Sequence, residues 1–205
     1  MAKQLTNEER NQICMIIGFL ACIPLLVFSF IRYSQLKKSY AETPHSQRIF
    51  DLGNLMPPFI AAGSFAVLTF FATAFALDKA PYILTPIVAV IALFVGYKIA
   101  RSVSTNYFGV YVDRASDRMV FPKDLGNLSL SEVMKFKFIT DLGEMDEVPL
   151  SQIKRITRQS GTKLFIHGQF GSRAIKYSDK QKRDECISAI QNAGSASSPI
   201  EFEAA

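Results

Sequence analysis

Three long apolar runs occupy the first half of the chain, at residues 13–31, 59–77 and 82–100. Each run has 19 residues, and Lys98, near the end of the third, is the single charged residue among them. A helix of that length extends about 29 Å at roughly 1.5 Å per residue. The hydrocarbon core of a bilayer is about 30 Å thick. The pattern therefore predicts a three-span membrane anchor over residues 13–101, preceded by a short polar tail at residues 1–12.

Basic residues predict the orientation of these spans. The loop at residues 32–57 contains four basic residues against two acidic ones, and Arg101 directly follows the third span. Loops rich in lysine and arginine stay on the cytoplasmic side of a membrane. We therefore predict that the N-terminus lies outside, whereas the loop and all residues after 101 lie in the cytoplasm.

Part of this loop, residues 46–56, has one apolar side when it is drawn as a helix, with Arg48 and Asp51 on the other side. The apolar side consists of Ile49, Phe50, Leu52, Leu55 and Met56. Such a helix would lie in the headgroup layer. The alternative is a simple lead-in to the second span.

Small residues recur four positions apart within the spans, where they let helix backbones approach closely in lipid. The candidate packing residues are Gly18, Cys22, Ala62, Ala66, Ala72 and Ala76. They predict helix packing within the chain or between copies in a homo-oligomer. No Asp, Glu, His, Arg or Lys lies in the middle of any span, which disfavours a transporter or ion channel that works alone.

After residue 101 the pattern changes to short alternating segments. Strands are predicted at 107–112, 118–121, 153–158, 163–167 and 173–177. A helix follows at 178–193, with Ser178 and Gln181 as its capping box and a stripe of Cys186, Ile187 and Ile190. The segment 122–147 predicts a short helix at 129–133 and an extra strand at 135–139. The small, polar residues 194–205 predict a disordered tail.

The parts that carry a resemblance are YFGVYVDRASDRMVF (residues 107–121), VPLSQIKRIT (148–157), the hairpin 161–177 and the helix 178–193. Their order resembles the bacterial pleckstrin-homology-like (PH-like) domains that follow membrane spans. The resemblance implies a small α+β domain at residues 102–193, a β-meander or partly open barrel closed by a C-terminal helix. It also implies a multi-pass protein of the bacterial inner membrane.

Positive charge is concentrated in the second half of this domain. Residues 153–183 contain nine lysines or arginines and one acid, Asp179. The candidate contacts to anionic lipid or to a protein partner are Lys154, Arg155, Arg158, Lys163, Arg173 and Lys176. A solvated basic face without a ligand is the alternative. Nucleic acid is not expected, because no recognised binding motif is present.

Motifs for chemistry are missing from the sequence. It contains no Gly-x-Ser-x-Gly, P-loop, His-Glu-x-x-His or Cys-x-x-Cys motif, so no catalytic residue, cofactor or metal is predicted. Uncharged spans joined to a domain without catalytic motifs favour a non-enzymatic membrane protein that acts as a scaffold for protein partners, with anionic lipid as a further contact. The alternatives are a transport-accessory or oligomeric pore subunit and, less favoured, a membrane-associated enzyme.

Overall fold

The computed structural model describes residues 6–125, 131, 134, 135, 137–158, 161–194 and 201–204. Within these ranges it leaves out the side chains at 7, 10, 13, 14, 17–22, 81, 194 and 201–204. The helices are α1 Asn7–Ser39, α2 Met56–Lys79, α3 Pro81–Phe108, α4 Lys137–Asp141 and α5 Lys180–Gly194. The strands are β1 Ser46–Ile49, β2 Val110–Asp113, β3 Arg118–Pro122, β4 Met145–Pro149, β5 Ile153–Arg158, β6 Lys163–Gly168, β7 Gly171–Lys176 and β8 Glu201–Ala204. Two 3₁₀ turns lie at Leu52–Leu55 and Leu150–Gln152.

Two helical stretches in the described part of the chain are long and apolar enough to cross a membrane. They are Leu52–Lys79 and Tyr82–Phe108, with mean hydropathies of 2.0 and 2.1. In the most apolar 18 residues of each stretch, only 22% and 17%, respectively, are buried inside the protein. The first apolar run of the sequence lies within the 33-residue helix α1, where several side chains are outside the described residues.

The three long helices pack on one another through small residues. Ala76 is fully buried, whereas Ala62, Ala66 and Ala72 are half-buried; the side chains of Gly18 and Cys22 lie outside the described residues. Two small residues that the sequence analysis did not select lie on α3, and both contact another helix. A Cβ added to Gly96 would lie 3.3 Å from the ring of Phe65 on α2. Ser104 donates a hydrogen bond of 2.8 Å to the carbonyl of Ser29 on α1.

The loop between α1 and α2 forms the first strand of a sheet. β1 pairs antiparallel with β2 in the four-stranded order β1-β2-β3-β4, here called the first sheet. The predicted amphipathic helix at 46–56 is therefore wrong. Ile49 and Leu55 point into the protein, whereas Leu52 and Met56 are exposed. Pairing with β2 satisfies the backbone groups that a helix would have satisfied internally.

The boundary between helix and sheet differs from the predicted strand at 107–112. Helix α3 continues to Phe108, and Gly109, with φ +78° and ψ −148°, turns the chain into β2. All four residues of β2 are buried, because both faces of the first sheet are covered. A strand buried on both faces has a continuous apolar sequence. Because apolar residues lie on both sides of Gly109, the end of the helix could not be recognised from the sequence pattern.

The second sheet has the order β7-β6-β5-β8. Strands β5, β6 and β7 are paired antiparallel, as the predicted meander requires. Strand β8 pairs parallel with β5, so Glu201–Ala204, within the tail predicted to be disordered, forms a strand at the sheet edge. The structure does not describe residues 195–200.

The segment 122–147 also differs from its prediction. Lys137–Asp141 is a short helix rather than part of a strand at 135–139, and the additional strand is β4, which pairs antiparallel with β3. The predicted helix at 129–133 falls almost entirely outside the described residues. Because β4 has two adjacent acidic residues between a methionine and a valine, it lacks the alternation that marks a strand, and its short pattern was hard to separate from that of a loop.

The N-terminus of α5 is capped by a residue other than the predicted one. The side chain of Asp179 accepts a hydrogen bond of 2.7 Å from the backbone N–H of Lys182, as an N-cap residue does. Ser178 instead donates its hydroxyl and its backbone N–H to the carboxylate of Asp51. The predicted Ser178–Gln181 capping box is therefore wrong, because a partner distant in sequence occupies the serine.

One core joins the two sheets and α5. It includes the predicted stripe of the helix, and all residues of that stripe are buried; its members include Ile49, Phe121, Ile156, Leu164, Ile166, Tyr177, Cys186 and Ile190. Burial raises the pKa of the Cys186 thiol to about 12, so the thiol stays protonated.

A second cluster attaches the first sheet to the long helices. Leu36 of α1 and Phe108 of α3 pack against Tyr111 and Val120 on the sheet face opposite the core. Arg118 lies 5.2 Å from the ring centroid of Tyr40, a distance at which a cation and an aromatic ring attract each other. The sheet domain is therefore packed directly on the ends of α1 and α3.

Stability should fall in acid partly through Asp113, a buried carboxylate at the end of β2. Burial raises its pKa, but hydrogen bonds from Ser116 and Ala115 and the charge of Arg118 outweigh burial and hold the pKa below its usual 3.8. A carboxyl group whose pKa is lowered by folding stabilises the fold above its unfolded-state pKa, and this stabilisation is lost as pH falls through the folded-state value.

We therefore expect Asp113→Asn to be less stable than wild type at pH 7, with the difference shrinking below about pH 4. Urea unfolding of both proteins in mild detergent at pH 7 and pH 3 measures this. A difference that is equal at both pH values would contradict the assignment to Asp113.

Candidate ligand cleft between the helices and the sheets

A cleft of about 480 Å³ lies where the long helices meet the two sheets; we call it the junction cleft. One wall is formed by the start of α2 at Pro57, Pro58 and Ala61 and by the last turns of α3 at Ser102 and Asn106. These residues lie within or next to the ends of the apolar runs 59–77 and 82–100. The cleft therefore opens at the level where the apolar part of both helices ends.

The opposite wall comes from the second sheet. Lys163 on β6 and Lys176 on β7 both line the cleft and are direct cross-strand partners. Like charges in directly opposed positions of an antiparallel pair destabilise a sheet. Neither lysine has an ion-pair partner among the described residues. We call these two residues the lysine pair.

Three other charged groups at the cleft have partners within the protein, whereas the buried carboxylate of Asp51, which also lines the cleft, accepts its hydrogen bonds from neutral donors. Arg101 and Glu144 form an ion pair of 2.7 Å, and Lys123 and Asp141 form one of 2.8 Å. Asp124 also lines the cleft and has interactions of its own. The charge of the lysine pair is therefore the part of the cleft best placed to attract an anion.

Hydrogen bonds from the loop between α1 and α2 hold the cleft together. The buried carboxylate of Asp51 accepts hydrogen bonds from the backbone N–H of Gly53, at 3.0 Å, and from Ser178. Asn54 donates its side-chain amide to the carbonyl of Lys176 at 2.9 Å. These contacts fix the lysine-bearing end of β7 against the start of α2.

The six basic residues predicted from sequence do not form one surface. Arg158 pairs with Asp184 on α5 at 3.7 Å, and Arg173 pairs with Asp146 on β4 at 3.4 Å. Lys154 and Arg155 are exposed on β5, away from the cleft. The structure thus brings two of the six, Lys163 and Lys176, together in a concave site.

Several cleft residues were not selected from sequence, among them Lys123, Asn54 and Asn106. They come from the loop before α2, the end of α3 and the end of β3, which are far apart along the chain. No motif links these segments, so a sequence pattern had no means of identifying them. The paired prolines Pro57-Pro58 were the one local signal, because they mark the start of α2 at this wall.

The chain matches no known protein family, no characterised protein and no solved structure. Its function is therefore inferred from the geometry of the chain itself.

A second cavity, of about 340 Å³, lies between α1, α2 and α3. None of the described residues that line it is charged, and its polar groups are mainly the hydroxyls of Thr69, Thr73 and Thr85. In addition, no group of three or more histidine, cysteine, aspartate or glutamate residues placed to hold a metal ion is found in the described part of the chain. The junction cleft is therefore the stronger candidate for binding a charged ligand.

Proposed function

We propose that this protein is a non-enzymatic, integral membrane scaffold of the bacterial inner membrane. In this proposal α1, α2 and α3 span the bilayer, and a cytoplasmic PH-like domain binds protein partners, with anionic lipid as a further contact. The basic loop 32–57 and Arg101 support the cytoplasmic position of the domain through the positive-inside rule.

The exposure of the helices supports the membrane part of the proposal. The most apolar parts of α2 and α3 are mostly not buried inside the protein. The core helix of a water-soluble protein, in contrast, buries its apolar side chains. Large apolar side chains point outward along all three helices, including Phe30, Leu68 and Val90. A surface of this kind is stable when lipid covers it.

Two features of the sheet domain support a PH-like fold. Two four-stranded sheets share one core, and a C-terminal helix contributes Cys186 and Ile190 to it. The first strand, β1, precedes the α2–α3 hairpin in sequence, so the hairpin is inserted between the first two strands of the domain. This connection would hold the domain at a fixed position against the membrane.

The pairing of β5 with β8 carries the protein-binding part of the proposal. Strand β5 is basic and receives the chain's own acidic segment Glu201–Ala204 in parallel register, with Arg155 opposite Glu201 and Ile156 opposite Phe202. An edge strand offers unpaired backbone groups to an extended peptide, and addition of a strand is a common mode of peptide recognition. A partner segment with alternating acidic and apolar residues would fit the same edge.

The test uses the chain truncated after Gly194 and a synthetic peptide of residues 195–205. We expect the truncated protein to bind the peptide in fluorescence anisotropy, and the intact protein to bind it more weakly because its own tail occupies β5. A peptide with Glu201→Lys and Glu203→Lys should bind the truncated protein at least tenfold more weakly, since it places a base opposite Arg155 and reverses the charge of a segment that pairs with a basic strand. Failure of the truncated protein to bind the unmodified peptide would contradict the proposed docking edge.

Co-purification tests the scaffold proposal more broadly. We expect the intact protein, extracted in mild detergent, to carry a specific partner that the variant Arg155→Glu retains less well. A chain that is recovered alone and monomeric under several extraction conditions would count against a scaffold.

A further inference from the structure

We infer that the junction cleft binds the phosphate group of an anionic phospholipid, and that Lys163 and Lys176 are its ligands. This inference rests on the proposed function, because it requires the helices to span a membrane. It goes further by naming the chemical class of the ligand and the two side chains that contact it.

The position of the cleft is the first argument. Its helical wall includes residues at or next to the ends of the apolar runs of α2 and α3, such as Pro58, Ala61 and Ser102. In a bilayer these residues lie at the boundary between hydrocarbon and headgroups, since each run is about as long as the hydrocarbon core is thick. A lipid beside α2 would therefore have its headgroup at the opening of the cleft.

The charge of the cleft is the second argument. The lysine pair is directly opposed on β6 and β7, an arrangement that costs stability in the absence of an anion. A phosphate group between two ammonium groups would remove this repulsion and accept charge-assisted hydrogen bonds from both. Glu144 does not neutralise the lysine pair, because it is paired with Arg101.

The rigidity of the site is the third argument. Lys176 is the last residue of β7, and its carbonyl accepts the hydrogen bond from Asn54. The next residue, Tyr177, is buried in the core and donates its backbone N–H to the carbonyl of Thr162, beside Lys163. Both lysine backbones are therefore held in place, so a phosphate would not need to order the chain when it binds.

The ligand could come from the membrane or from solution, and the experiment separates the two sources. The full-length protein in mild detergent is titrated with phosphatidylglycerol, with phosphatidylcholine and with inorganic phosphate, and bound ligand is counted by native mass spectrometry. We expect phosphatidylglycerol to bind more tightly than phosphatidylcholine, and inorganic phosphate to compete weakly. Inorganic phosphate that binds as tightly as phosphatidylglycerol would overturn the assignment to a lipid.

Variants of the lysine pair test the residues. Each of Lys163→Gln and Lys176→Gln should weaken phosphatidylglycerol binding about fivefold, and the double variant about 25-fold. The double arginine variant should retain binding, because it keeps both charges. Lys154→Gln is the matched control, since Lys154 is an exposed lysine on β5 outside the cleft; its affinity should stay within about twofold.

Stability supplies a readout that a purely structural role would not give. Neutralising one lysine of the pair relieves the cross-strand repulsion, so the variant should unfold at the same or a higher temperature than wild type without lipid. The stabilisation that wild type gains from phosphatidylglycerol should shrink in the same variant. Equal losses of affinity in Lys154→Gln and Lys163→Gln would indicate diffuse attraction and overturn the site, as would full binding by the double glutamine variant.

Failure of this inference is distinguishable from failure of the proposed function. Carbonate extraction of vesicles reports whether the chain is an integral membrane protein, independently of any lysine. If the chain stays in the membrane but its lipid affinity does not depend on the lysine pair, the inferred cleft site alone is contradicted. If carbonate extracts the chain from the vesicles, both the proposed membrane anchor and the inferred cleft site are contradicted.

Discussion

Replacing Gly109 by alanine is expected to destabilise the sheet domain by about 3–5 kcal/mol. Gly109 has φ +78° and ψ −148°, a region that residues with a side chain occupy at a cost of roughly 1–3 kcal/mol. An added Cβ would also lie 2.3 Å from the backbone carbonyl oxygen of Ile49 in β1. Because the obstacle is backbone, the collision can be relieved only by moving β1 away from β2.

Two other glycines separate strain from collision. Gly161 has φ +105° but nothing within 4 Å of an added Cβ, and Gly63 on α2 has open space and no positive φ. We therefore expect Gly161→Ala to show a smaller loss, about 1–2 kcal/mol, and Gly63→Ala to show almost none. Urea unfolding in mild detergent, followed by circular dichroism, measures all three. If Gly109→Ala were no less stable than Gly161→Ala, the close approach of Gly109 to β1 would be wrong.

Replacing Asp51 by alanine is expected to destabilise the domain by about 3 kcal/mol. The carboxylate of Asp51 is 4% exposed and accepts hydrogen bonds from Gly53 and from both donors of Ser178. A buried donor that loses its partner costs roughly 1–3 kcal/mol. Since Asp51 connects the loop before α2 to the start of α5, its loss should also loosen the lysine end of the junction cleft.

Three comparisons test this role of Asp51. Asp51→Asn keeps one acceptor oxygen and should lose about half as much stability. Asp78→Ala is the control, because Asp78 lies in the last turn of α2 and forms an exposed pair with Lys79, which contributes about 0–1 kcal/mol. Lipid binding should fall in Asp51→Ala and remain in Asp78→Ala. Equal stability of the two alanine variants would rule out the connecting role of Asp51.

The meander and the last helix show what local patterns could predict. Strands β5, β6 and β7 and the core stripe of α5 follow the predicted positions closely, because alternation and turn residues are encoded within a few neighbouring positions. The lengths and apolarity of α2 and α3 were also evident from sequence. The three-span topology, its orientation and the PH-like character of the domain stay predictions.

Three of the errors share one cause, a partner distant in sequence. Residues 46–56 have an amphipathic pattern that a helix could use, yet residues 46–49 form β1 because β2, more than 60 residues later, offers a pairing edge. Ser178 has the local signature of a cap, yet Asp51 occupies it. Similarly, the basic residues of 153–183 appeared to form one face until ion pairs with Asp146 and Asp184 separated Arg173 and Arg158 from the rest.

The amino-acid sequence by itself determined the division of this chain into long apolar helices and a basic, strand-rich domain, because hydrophobic periodicity is a property of neighbouring residues. Only the tertiary structure decided that the loop between α1 and α2 belongs to the sheet, and that Lys163 and Lys176 face a cleft at the helix ends. The physical reason is that hydrogen-bond pairing and charge neutralisation depend on distances in space, and these distances exist only after the chain has folded.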